Sequence, residues 1–163
     1  MRKYFCGIFL IAMCVLSMNI TTGYAQDEAN QLILRNGEYD TVKIDNKNFT
    51  GTVFLQNLVS PQMQSNTYGA MVTFEPGART NWHIHPARQV LIVTDGIGYT
   101  QQWGKDIQIL KPGDIVSCPP NVKHWHGATK DSFFSHLAIE VPAVGGSNEW
   151  LEPVTDEEYL QLK

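Results

Sequence analysis

His83-Ile84-His85 sets two imidazoles two residues apart, and Gln89 follows four positions later. Residues i and i+2 of a strand point to the same face, so these two rings can converge on one point. A second pair, His124-Trp125-His126, sits in another strand-like run, and His136 completes a set of five histidines confined to positions 83–136. Neutral imidazole is the usual ligand of transition-metal ions, so the chemistry such a cluster can support is that of a bound divalent cation. One His-x-His pair alone is equally an ordinary half-buried strand feature; two pairs and a fifth His favour the metal.

The metal ligands expected from this pattern are His83, His85, Gln89 and His124, with a turn at Pro86-Ala87-Arg88 separating the first pair from Gln89. Three imidazole nitrogens and one amide oxygen hold an ion while leaving coordination positions open for substrate or water. Without a carboxylate ligand the ion keeps its double positive charge, which favours anions such as a carboxylate, an enolate, an alkoxide or cyanide. The two-His-one-carboxylate pattern of many iron oxygenases is missing, so Lewis-acid chemistry ranks above oxidation.

His126 shares strand parity with His124, and His136 shares parity with Ala138 and Glu140. His136, His126 and Glu140 are therefore the candidate catalytic, proton-transferring groups. The competing role for the two histidines is to hydrogen-bond the ligands from behind. Trp82 and Trp125 have the opposite parity and are expected to pack on the other face of their strands. Arg79 and Arg88 bracket the first pair, either steering an anion or standing as solvated surface charges, and Cys118 reads as a buried small hydrophobe.

The elements that must carry these residues are short. Alternating or apolar runs lie at 41–44, 51–59, 68–74, 89–94, 98–103, 107–110, 115–118 and 133–141, separated by Gly- and Pro-rich turns such as Pro76-Gly77, Asp95-Gly96 and Pro112-Gly113. That spacing predicts an all-β sandwich or barrel. Thr155-Asp-Glu-Glu158 is the signature of a capping box and predicts a short helix over 155–162, packed on the outside of the barrel. A polar arm at 26–35 and a turn at Asn36-Gly37 precede the first strand.

The chain begins with Arg2 and Lys3, an apolar run from Tyr4 to Met18, and Gly23-Tyr24-Ala25. This is the pattern of a secretory signal peptide cleaved after Ala25, with an uncleaved anchor as the alternative. Export places the domain, residues 26–163 with a core at about 49–142, in the periplasm or outside the cell. Cleavage removes Cys6 and Cys14 and leaves Cys118 alone, so no internal disulfide is available and an apolar core must hold the fold. Losing Arg2 and Lys3 also takes the net charge from −4 to −6. An acidic surface without basic runs argues against nucleic acid or an anionic membrane as partner and for a small-molecule substrate.

The spacing of these residues resembles the cupin superfamily, small β-barrels of the jelly-roll type. Its first motif is met by Gly77, His83-Ile-His85, Gln89 and Gly96, and its second by Gly113, Pro119 and His124, with Asn121 where Gly is usual. Gln89 in place of the usual Glu, together with the phrases VTFEPGART, WHIHP, QVLIVTDG, HWHGA, SHLAIE and VTDEEY, is similar to small monocupins of the manganese-dependent, (R)-selective hydroxynitrile lyase group, some of them associated with carboxymuconolactone-decarboxylase-like domains. The resemblance implies a single jelly-roll barrel, manganese as the first choice of metal with iron or zinc as alternatives, and a homodimer. It also implies that His136, with His126, assists proton transfer and that Ala70, Val72, Thr80 and Glu140 line the pocket. Arg88 and Glu140 depart from that group, which has a small residue and a neutral amide there. The expected activity is that of a lyase, hydroxynitrile-lyase-like or decarboxylase- or isomerase-like. An iron oxygenase and a non-catalytic ligand-binding barrel are the rivals.

Overall fold

The computed structural model describes residues 31–59, 63, 65–140 and 147–161. The leader expected over residues 1–25 lies outside them. The described chain is an all-β, jelly-roll-type barrel with one short helix, as its sequence implies. In chain order its strands are β1 (Thr41–Ile44), β2 (Phe49–Thr50), β3 (Val53–Asn57), β4 (Tyr68–Phe74), β5 (Arg79–Thr80), β6 (His83–Ile84) and β7 (Gln89–Gly96). They continue with β8 (Gly98–Gln102), β9 (Gln108–Leu110), β10 (Ile115–Cys118), β11 (His124–Ala128), β12 (Phe134–Glu140) and β13 (Glu149–Trp150). Runs long enough to show a period of two are strands where expected. Of the four two-residue strands, β2, β5 and β13 show no period and were not anticipated, whereas β6 is the strand expected to carry His83 and His85 but ends at Ile84.

One sheet has six strands in the order β1-β3-β4-β12-β7-β10, all antiparallel where they pair. Its alternation is clean. Ala70, Val72 and Phe74 of β4, Leu91 and Val93 of β7, and Phe134, His136 and Ala138 of β12 share the buried face. His136 sits between Val72 and Val93, and Ala138 between Ala70 and Leu91. Burial of each large apolar side chain in this layer contributes about 1.5–3 kcal/mol. A register shift between Ser135 and His136 leaves Thr94 as the extra residue of a β-bulge. Gly96 follows at φ 72°, where an added Cβ would lie 1.9 Å from the Phe133 carbonyl oxygen, so only glycine turns this corner.

The other sheet runs β13-β6-β11-β5-β2, with β8 pairing on β11 and β9 on β8. Ala78, Leu110 and Ala128 join the six-stranded sheet's core residues in one cluster. On the opposite side of β11 a second cluster forms from Trp82, Tyr99, Ile107, Trp125, Val154 and Tyr159. The two tryptophans thus pack away from the histidines, and the C-terminal segment covers them.

That segment carries α1 (Asp156–Tyr159), opened by the expected capping box: Glu158 N–H donates to Thr155 Oγ1, and Thr155 N–H to the Glu158 carboxylate. The helix is shorter than the 155–162 expected. Leu160 already serves as its C-cap, no basic residue stands in its last turn to complement the helix dipole, and Tyr159 is its buried residue. Tyr159 donates its hydroxyl to the Ala128 carbonyl at 2.8 Å and so ties the helix to β11.

Candidate metal centre

Register brings the first two histidines together, because His83 of β6 lies directly opposite His124 of β11. Their ring centroids are 4.3 Å apart, and His85, one residue past the end of β6, adds a third ring at 5.0 Å from His83 and 5.4 Å from His124. One ligand atom from each of the three falls within 4.8 Å of the others. The turn that delivers β11 is held to the first motif by Asn121, whose N–H donates to the His85 carbonyl at 2.8 Å. Asn121 is the residue standing where glycine is usual, and it adopts φ 61°, a conformation Asn tolerates better than most side chains. Gln89, first residue of β7 in the facing sheet, brings its Oε1 to 3.2 Å from His124 Nε2.

The donors and acceptors of this cluster do not balance. His83 Nδ1 is 2.9 Å from the Asn81 carbonyl and His124 Nδ1 is 2.9 Å from that of Val122. A carbonyl accepts only, so each Nδ1 carries the proton and each Nε2 is left as a lone pair. Burial first, and then the neighbouring imidazoles, hold His83 well below its ordinary value; burial likewise lowers His124 to about 4, so both rings are neutral near pH 7. His85 Nε2 is buried without a protein partner. The Nε2 lone pairs of His83 and His124 thus meet His85 and the Gln89 amide oxygen in one cluster, a donor set that a divalent cation fits. Imidazole and amide oxygen together suit a divalent transition metal.

Beside this cluster opens a cavity of about 490 Å³, lined by His83, His85, Gln89, His126, His136 and Glu140 on its polar side. His126 lies behind His83 at 5.3 Å between ring centroids, and its backbone N–H donates to Thr80 Oγ1. His136 is fully buried between Phe74 and Phe134, its Nε2 is 3.2 Å from His126 Nδ1, and its own Nδ1 has no partner. Burial, followed by the charge of His136, keeps His126 well below the ordinary range, and burial lowers His136 to about 3. Both are neutral imidazoles near pH 7.

Glu140 reaches the same cavity from the end of β12. Its Oε1 accepts from Gln89 Nε2 at 2.9 Å. Its Oε2 is 3.2 Å from His85 Nδ1, at ion-pair distance although not in hydrogen-bond geometry. Burial raises the Glu140 pKa, but His85, Asn148 and Gln89 together outweigh it and hold the group below the ordinary carboxylate range.

Of the expected pocket residues, Val72 and Thr80 line the cavity. Ala70 does not; it is fully buried in the core, and its cross-strand partner Ala138 meets the cavity instead. Aromatic walls that the sequence reading missed come from Phe49, Tyr68 and Trp150. Trp150 lies opposite His83 in the β13–β6 pair, with ring centroids 4.9 Å apart. Its one signal was an isolated Trp in a polar stretch, too little to place it.

Neither arginine faces the ligand cluster. Arg79 is buried, contrary to the surface role considered for it, and donates to the Val154 carbonyl at 2.9 and 3.1 Å and to Asp156 at 2.6 Å, fastening the C-terminal segment. Arg88 is exposed and donates to Ser117 Oγ at 2.7 Å. Cys118 is buried and unpaired, and burial, then Glu140, push its thiol up to about 12, which leaves it inert.

Residues 70–139 match the family model described as the cupin domain. The chain is similar to (R)-mandelonitrile lyase of Granulicella tundricola, with 48% identity over 111 residues, 68% of this chain and 85% of that protein. Among solved structures it is similar to a cupin-like protein from Thermotoga maritima, 49% identical over 72% of this chain and 89% of the other, with a TM-score of 0.68. A predicted oxalate decarboxylase from the same organism shares the fold at 22% identity and a TM-score of 0.62, over 69% of this chain and all of its own.

Proposed function

The chain belongs to the cupin family, and from that premise we propose that it is a metal-dependent lyase whose substrate is a small hydroxynitrile or the corresponding carbonyl compound. His83, His85, Gln89 and His124 would hold the divalent ion, with manganese the first choice. When bound, the ion supplies Lewis acidity toward a substrate oxygen or a small anion such as cyanide.

The remaining steps fall to the chain's own side chains. The neutral imidazole pair His126–His136 offers a base at the inner end of the cavity. It takes the hydroxyl proton of the hydroxynitrile as the bond to the nitrile carbon breaks; the electron pair leaves with cyanide, and the hydroxyl oxygen becomes the carbonyl oxygen. The same imidazole then returns the proton to give hydrogen cyanide, and the sequence runs backwards in synthesis. Phe49, Trp150 and Leu55 line the cavity with apolar surface that keeps bulk water from the base and seats the hydrocarbon part of the substrate.

The observation that carries this reading is the convergence of ligand atoms from His83, His85 and His124 beside a buried, neutral imidazole pair, in a chain 48% identical to a lyase. The test is conversion of mandelonitrile to benzaldehyde and hydrogen cyanide by the manganese-loaded protein, with and without oxygen. Conversion that is independent of oxygen and lost in both His124→Ala and His136→Ala supports the lyase. No conversion in either direction by metal-loaded protein overturns it.

A further inference from the structure

Glu140 stands directly opposite Gln89 across the β12–β7 pair, with Tyr68 of β4 on its other side. A carboxylate facing an amide decides which end of the amide points where. An ionised carboxylate only accepts, so Gln89 must present its NH₂ to Glu140 Oε1, at 2.9 Å, and its carbonyl oxygen is thereby turned toward His124 Nε2, at 3.2 Å. The second carboxylate oxygen lies 3.2 Å from His85 Nδ1 and 3.4 Å from Asn148 Nδ2. A proton on His85 Nδ1 is therefore the one this oxygen attracts, which leaves His85 Nε2 as a lone pair like those of His83 and His124.

We infer that Glu140 is a positioning residue of the metal centre: by contacting Gln89 and His85 from behind, it aims the amide oxygen and the imidazole nitrogen at the ion. The inference rests on the metal reading above and narrows it. Both oxygens of Glu140 are engaged with ligand residues, so proton transfer is left to His126 and His136.

The full-length protein tests this through manganese(II) affinity, measured by competition with a chelator, and through the visible absorption of the cobalt(II) form. Glu140→Gln is isosteric but can offer either end of its amide to Gln89. It is expected to weaken manganese binding by ~10–100-fold and to change the cobalt spectrum. Glu140→Asp keeps an acceptor-only group and is expected to hold affinity closer to that of the wild type. In a Gln89→Ala background, where the amide to be aimed is gone, Glu140→Gln should cost much less. An unchanged affinity and spectrum in Glu140→Gln would overturn the inference while leaving the metal centre standing. So would an equal loss in the Gln89→Ala background, which would mean that the charge acts at a distance. A wild-type chain that binds no divalent metal would sink the metal reading itself, and this inference with it.

Discussion

Strand β11 separates two regions built with the same care for burial and opposite treatment of their polar atoms. Facing outward, Trp125 is fully buried and donates its Nε1–H to Gln101 Oε1 at 2.8 Å; Tyr159 donates to Ala128, and Arg79 to Val154. Among the described residues, Trp82 Nε1 is the buried side-chain donor of that layer without a partner. Facing inward, His124 and His126 are as well buried, yet His83, His85 and His124 set ligand atoms within 4.8 Å of one another, and both ring nitrogens of His85 and Nδ1 of His136 have no hydrogen-bond partner. Each buried polar atom left unpaired costs about 1–3 kcal/mol, a cost a fold tolerates where a ligand will supply the partner. The outer layer finds partners for Trp125, Tyr159 and Arg79 within the chain and serves stability. The inner one gathers three histidines in a geometry fit to hold a metal ion.

Substitutions should divide along the same line. The largest effect is expected from His124→Ala, which removes one of the converging nitrogens: bound metal is lost, and turnover falls by ~10³-fold or more, the equivalent of several kcal/mol of transition-state stabilisation. The metal-free variant should lose less stability than Trp125→Ala does, because the lost Nδ1 bond to the Val122 carbonyl is offset by removal of an acceptor set against Gln89 Oε1. Elemental analysis and urea titration read the two halves of this expectation. A strongly destabilised metal-free variant would break the contrast. Trp125→Ala is the mirror experiment, one strand position away. Emptying its site should cost ~3–5 kcal/mol in urea unfolding while the molecules still folded keep wild-type manganese affinity.

Acid sharpens the comparison next. His136 is fully buried, and burial holds it at about 3 in the fold against ~6.5 in the unfolded chain. The unfolded chain therefore takes up this proton first. Its contribution to stability is complete above pH ~6.5 and is lost as pH falls toward 3, at about 1.4 kcal/mol per pH unit. His136→Phe, set between Phe74 and Phe134, should remove that part of the slope. Urea unfolding of the metal-free proteins at pH 7 and pH 5 measures it, and an equal slope in both would mean that His136 is not held neutral by the fold.

How much of this was legible in the sequence depends on the range over which each residue's partner lies. That His83 and His85 share one face follows from parity within a His-x-His pair, while their meeting with His124 depends on the β6–β11 register, and Tyr68–Phe74 is a strand because its alternating residues show a period. Phe49 and Trp150 wall the cavity from two-residue strands, which have no period to read. Arg79 looked like a surface charge because its partners, Val154 and Asp156, lie more than seventy positions later and belong to the segment that buries it. Glu140 could be assigned to the inner face by parity with His136. That it contacts Gln89 and His85 depends on a β12–β7 register that local pattern does not fix.

The smallest expected effect lies at the far edge of the outer layer. Thr155 Oγ1 accepts the Glu158 N–H at 3.1 Å, and α1 has only four residues, so this one bond satisfies a large share of the helix's free donors. Thr155→Ala should lower stability by ~1 kcal/mol. The loosened turn carries Tyr159, whose hydroxyl is anchored on Ala128, four residues along β11 from His124. If the two faces of that strand are independent, manganese affinity stays at the wild-type value while the urea midpoint drops. If affinity falls in step with stability, the C-terminal segment is holding β11, and with it His124, in the geometry the ion needs. The outer layer would then be part of the metal centre's support, and Tyr159→Phe, which deletes only the bond to Ala128, should reproduce the loss.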